Sequence, residues 1–194
     1  MSWGKFIATA GLFGAYIVKD TIPDEKIEIL RDNCNNLRDR AMIDFLLSTG
    51  IRVGELVRLN IDDIDFSERE CVVYGKGDKE RKAYFDAKTK IHLLNYIESR
   101  TDNNIALFVS LNKPHSRLIE SGVELRLREM GKKLGVEKVH PHKFRRTMAT
   151  RAIEKGMPIE QVQKILGHEQ IDTTLRYAMV NQNNVKLSHR KYIS

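Results

Sequence analysis

Apolar residues recur at helical spacing along most of this chain, with one central interval of two-residue alternation. Thr21-Ile22-Pro23-Asp24 reads as a helix start, followed by Ile27, Leu30 and Cys34 at helical spacing. A second helix is predicted from about Leu37 to Ser48, with Gly50 placed to end it in the left-handed conformation. Arg52 follows at once, ahead of a short helix over Val53 to Leu59, so rigid elements hold this arginine on both sides. From Ile61 to Phe85 the period changes. Ile64-Asp65-Phe66, Cys71-Val72-Val73-Tyr74 and Arg81 to Phe85 predict three short antiparallel strands. Gly75-Lys76-Gly77-Asp78-Lys79 joins the second and third, which puts Lys76 at an exposed hairpin tip.

Helical spacing then returns. Asp86 can cap a helix carrying Ile91, Leu94 and Ile97, and Asn103 to Asn112 reads as extended or loop. Ser121 to Leu134 aligns Val123, Leu127, Met130 and Leu134 on a core face closed by Gly135. Pro141 opens the next helix, whose Phe144, Met148 and Ala152 face inward until Gly156 ends it. His142 and Arg145, three apart, are then expected on the opposite rim. Pro158 to Leu166, closed by Gly167, is another helix, and Asp172 or Thr173 can cap a last one carrying Leu175 and Tyr177. The pattern predicts a mainly α fold with a small three-stranded antiparallel sheet, an α+β domain.

Length and charge sharpen this. With 194 residues, 41% of them hydrophobic, the chain can bury a full core as one domain. Its 33 basic and 26 acidic residues leave +7, which suits a polyanionic partner. Between Glu137 and Glu154 there is no carboxylate, while His140, His142, Lys143, Arg145, Arg146 and Arg151 fall in that gap. Cys34 and Cys71 have neither zinc-ligand spacing nor a disulfide framework, so a reduced, cytoplasmic compartment is expected. The apolar stretch Phe6 to Val18 is too short to span a bilayer. Residues 1–21 read as an N-terminal segment or linker remnant.

The ordered set His142, Arg145, His168 and Tyr177 points to metal-free attack on a phosphodiester. With a phenol pKa of about 10, forming the phenolate at neutral pH costs on the order of 4 kcal/mol, so a base or a strong positive field is required. Charge gathers on the non-bridging oxygens in the transition state, where two guanidiniums can clamp it; Arg52 and Arg145 are the natural pair. The departing 5′-oxygen needs a proton, which Lys76 can supply from its hairpin. His142 can accept the phenolic proton or hold the phosphate, and His168 can donate to a non-bridging oxygen. No metal is assigned to His140-Pro141-His142, since the backbone turns at proline and no third ligand stands nearby. The chemistry calls for no cofactor, neither metal nor ATP.

From about Ile22 to Met179 these motifs resemble the catalytic domain of the tyrosine recombinases, which include phage and transposon integrases and chromosome-dimer resolvases. Ser48-Thr49-Gly50-Ile51-Arg52-Val53-Gly54-Glu55-Leu56 is similar to the motif around the family's first arginine, and the resemblance makes Glu55 its support. Gly75-Lys76-Gly77-Asp78-Lys79-Glu80-Arg81 looks like the lysine-bearing turn. Pro141-His142-Lys143-Phe144-Arg145 matches the histidine-to-arginine box, Leu166-Gly167-His168 the second histidine motif, and Thr173-Thr174-Leu175-Arg176-Tyr177 the nucleophile segment. The resemblance implies a DNA breaking-rejoining fold over residues 22–180. It also implies a site-specific recombinase acting through a 3′-phosphotyrosyl intermediate, with Arg52, Lys76, His142, Arg145, His168 and Tyr177 catalytic.

Double-stranded DNA is the expected partner, contacted by Lys79, Arg81, Lys143, Arg146 and Arg151, with no membrane involved. Residues 181–194 are expected to dock on a neighbouring protomer, giving a homotetramer on paired sites from a monomer free in solution. Two departures stand out. Arg146 occupies a position where many members have histidine, and no N-terminal helical domain precedes Ile22, so an isolated catalytic half is expected. The competing readings are type IB topoisomerase-like relaxation and a DNA-binding module without cleavage.

Overall fold

The computed structural model describes residues 21–75, 80–168 and 174. Residues 1–20, the lysine turn 76–79, Tyr177 with its segment, and the tail 181–194 therefore lie outside the described residues. Seven α-helices and three strands are described. They are α1 (Asp24–Asp32), α2 (Leu37–Thr49), α3 (Val53–Arg58), β1 (Ile64–Asp65), β2 (Glu70–Tyr74), β3 (Glu80–Tyr84), α4 (Ala87–Glu98), α5 (Glu120–Lys133), α6 (Pro141–Glu154) and α7 (Ile159–Leu166). None of the described helices is long and apolar enough to cross a membrane.

The central element is α2. Asn36 caps it by accepting a hydrogen bond from the Asp39 amide, and Gly50 closes it at φ +61°. Ala41, Met42, Ile43, Phe45, Leu46 and Leu47 are buried, because α2 is flanked by α4 on one side and α6 on the other. Such a helix buries polar residues too, and each must find a partner. Asp39 is held by Arg38 and Arg126, and Asp44 by Arg31, Arg40 and His92, so the two carboxylates tie α1, α4 and α5 to α2.

The sheet runs β1-β2-β3, antiparallel throughout, with Cys71 opposite Ala83 and Val73 opposite Arg81. Cys71, Val73 and Ala83 point to the core, where Phe45 packs against Phe85 and Phe108, and Phe108 stacks on Tyr96 at 5.6 Å between ring centroids. Burial pushes both free thiols, Cys34 and Cys71, up to about 12, which leaves them unreactive.

The helix from Asp86 forms as expected, but its apolar face differs. Leu93 and Tyr96 are buried while Ile91 is exposed and Leu94 half-buried, because the face that meets α2 is chosen by that contact. A smaller apolar cluster of Ala149, Val162 and Leu166 joins α6 to α7. α7 also contacts β3.

Candidate active site

Arg52 is the residue just before α3, in extended backbone at φ −77° and ψ 153°. Glu55, at the third position of that helix, reaches back so that its Oε2 accepts from the Arg52 amide at 2.7 Å. Its other oxygen accepts from Arg52 Nη1 at 3.0 Å. From the neighbouring sheet, Arg81 Nη2 donates to the same Oε2 at 2.7 Å. The Glu55 carboxylate is thus buried between two guanidiniums, with its side chain only 3% exposed.

The second half of the site is the end of α7. The last carbonyls of a helix have no partner within it and carry the negative end of its dipole. Here three arginines from three elements supply the donors. Arg81 Nη1 donates to Ile165 O at 2.7 Å, Arg145 Nη2 to Leu166 O, and Arg52 Nη2 to Gly167 O at 3.2 Å. Arg145, buried on α6, uses its remaining terminal nitrogen to reach Gly50 O at 2.6 Å. Three cations therefore converge on one helix end, and two of them share one carboxylate.

Gly167 ends α7 at φ +62°, and the His168 amide closes the turn on Gln163 O. Gln163 Nε2 returns a bond to His168 O at 3.0 Å, and His168 Nδ1 lies 2.9 Å from the hydroxyl of buried Thr174. Burial first, and then the nearby charges of Arg145, Arg52 and Arg81, lower the His168 pKa to about 4. Its imidazole is neutral at neutral pH. A site with a neutral imidazole and guanidiniums held rigid by protein acceptors is suited to a phosphodiester.

The structure brings Arg52, Glu55, Arg145 and His168 together. Arg145 is not on an exposed rim with His142. It is buried toward α2 and α7, whereas His142 is exposed on the first turn of α6. Lys143, expected to face DNA, is also buried, and its Nζ donates to Glu137 O at 3.1 Å. Arg146 is half-buried, and Arg151 pairs with Asp24 at the α1 end. Arg81, expected among the phosphate contacts, has instead turned both terminal nitrogens to protein acceptors. Its strand parity carried the signal: residue 81 shares the inward face with Ala83. Thr174, which sequence reasoning passed over, is the partner of His168. Lys76, Lys79 and Tyr177 lie outside the described residues.

Residues 21–184 match the phage integrase family, and the chain belongs to that family. It is 36% identical over 173 residues to the tyrosine recombinase XerC of Staphylococcus aureus, an alignment covering 84% of this chain and 57% of that protein. The chain thus spans a little over half the length of the curated relatives it matches. Among solved structures, XerA recombinase superposes with a TM-score of 0.77 at 32% identity, covering 90% of this chain and 65% of that one. The Tn1549 transposon integrase in complex with transposon right end DNA shares the fold, with a TM-score of 0.76 at 19% identity over 90% of this chain and 66% of that one.

Proposed function

We propose that the chain is the strand-cleaving part of a site-specific DNA recombinase that works through a covalent 3′-phosphotyrosyl intermediate. The observation that carries this reading is the convergence of Arg52, Arg145 and a neutral His168 at one helix end, supported from beneath by Glu55. Membership of the phage integrase family and similarity to XerC, XerA and the Tn1549 integrase support it.

In this reading Arg52 and Arg145 bind the non-bridging oxygens of the scissile phosphate and stabilise the charge that builds there. We assign the Thr174 hydroxyl, 2.9 Å from Nδ1, as the donor of that bond, which puts the His168 proton on Nε2, from where it donates a hydrogen bond to the phosphate. His142 takes the phenolic proton of Tyr177 or holds the phosphate. The phenolate oxygen attacks phosphorus, the bond from phosphorus to the 5′-oxygen breaks, and Lys76 protonates that oxygen. Rejoining reverses the steps with a 5′-hydroxyl as nucleophile, so the bond energy is conserved in the phosphotyrosine. The partner is double-stranded DNA, the compartment the cytoplasm, and the working assembly a tetramer on two duplexes coupled through residues 181–194.

A nicked suicide duplex tests the chemistry. The expected result is a covalent protein–DNA adduct that disappears in Tyr177→Phe; an adduct that persists in that variant sinks the assignment. Relaxation of arbitrary supercoiled plasmid without exchange products would mark a topoisomerase instead. Salt-sensitive binding with no adduct would mark a binding module. Deleting residues 181–194 should abolish tetramers on DNA while leaving single-site cleavage measurable.

A further inference from the structure

Arg81 is the one charged residue on the inward face of β3, and its side chain is only 12% exposed. A buried guanidinium is tolerated only when it is paired, and this one is paired twice, to elements far apart in the chain. Nη2 meets Glu55 Oε2 at 2.7 Å on α3, and Nη1 meets Ile165 O at 2.7 Å on α7. Its aliphatic stem lies against Gly167, where an added Cβ would come within 2.7 Å of both Cδ and Nε. Nε itself is buried with no hydrogen-bond partner among the described residues, and both terminal nitrogens already donate to the protein. The glycine before His168 thus leaves room for the arginine, and the arginine sets the height of the turn.

We propose that Arg81 is a positioning residue of the cleavage site, clamping the carboxylate that orients Arg52 and the helix end that carries His168 into one rigid unit. The inference rests on the recombinase reading above for its chemical consequence, but not for its geometry. Arg81 touches neither DNA nor the reacting atoms. It acts by fixing the distance between the first arginine and the second histidine, which must reach the same phosphate. One missing donor would let the α7 turn drift, and a displacement of about 1 Å at a reacting group can cost on the order of 10²-fold in rate.

The test compares Arg81→Met and Arg81→Lys with the parent chain in three measurements. These are single-turnover cleavage of a suicide duplex, DNA affinity as a function of salt, and the NMR titration of the His168 imidazole. In Arg81→Met the cleavage rate should fall about 10²-fold. DNA affinity and its salt slope should stay at the parent values, and the His168 midpoint should rise. Arg81→Lys keeps a charge but cannot bridge two acceptors. It should retain the fold and a low His168 midpoint, yet still cleave at least about 10-fold more slowly than the parent. Parent-like cleavage in folded Arg81→Lys and Arg81→Met would overturn the proposal. So would a drop in affinity with a salt slope smaller by about one and an unchanged cleavage rate, which is the signature of a lost phosphate contact. If the parent chain forms no adduct at all, the recombinase reading fails, and the His168 titration still decides the positioning: an unmoved midpoint in folded Arg81→Met overturns it.

Discussion

Arg145 donates to the carbonyl of Gly50 at 2.6 Å, across 95 residues of sequence. Gly50 is the left-handed turn two residues before Arg52, so one proposed phosphate ligand fixes the turn that launches the other. Replacing Arg145 by alanine strips a donor from both Gly50 and Leu166 and removes a clamp from the phosphate. Cleavage of a suicide duplex should fall by about 10² to 10³. Arg145→Lys should recover little, because a single ammonium cannot span two carbonyls on separate elements and a phosphate oxygen. Recovery to parent rates in the lysine variant would show that charge alone suffices.

Gly50 should tolerate no side chain. Its φ is +61°, and a Cβ there would sit 2.1 Å from Met148 Cε. Gly50→Ala is expected to destabilise the fold by about 1–3 kcal/mol, measured by urea denaturation. Met148→Ala in the same chain relieves the clash but not the backbone strain, so the double variant should regain the clash contribution and keep the strain penalty. An additive double variant would mean that the methionine simply swings aside.

Glu55→Ala should be among the most damaging single changes. It leaves Arg81 buried without its carboxylate and frees Arg52 from both of its Glu55 contacts. Breaking a buried pair by removing one partner costs about 3–5 kcal/mol, and part of that applies here because Arg52 is partly solvated. Thermal melting checks the stability loss. Guanidinium-based rescue of cleavage is not expected, since the missing group is an anion.

His168 should make stability depend on acidity in one direction. Its folded pKa of about 4 lies below the ordinary value of 6.5, so between those values the unfolded chain binds more protons. Its contribution is fully present above about pH 6.5 and is lost as pH falls toward 4. Melting temperatures of the parent and of His168→Gln should therefore converge as pH is lowered across that window. Parallel curves would show that the imidazole is not held neutral by burial and the three arginines.

Much of the framework was readable from residue order. Asp86 and Pro141 start helices, and Gly50, Gly135 and Gly167 stop them, because caps and left-handed turns depend on a few adjacent residues. The alternation between Ile64 and Phe85 was enough for three antiparallel strands. Less legible was which charges face inward. Lys143 and Arg145 are two residues apart in a basic run, and both are buried, since their partners are backbone carbonyls that no sequence pattern marks. Asp39 and Asp44 likewise look like solvated helix positions until α4 and α5 pack over α2.

By itself, the sequence determined the local elements, the order of the motifs and the residue types available for phosphoryl transfer, because these depend on short-range sterics and intrinsic side-chain chemistry. Only the tertiary structure decided how those residues are used. How firmly an arginine is tied to the protein depends on which acceptors lie within about 3 Å of it and how much of its side chain stays exposed, and packing sets both. Arg52 and Arg81 share one carboxylate on this account, yet the first keeps 39% of its side chain exposed and the second 12%.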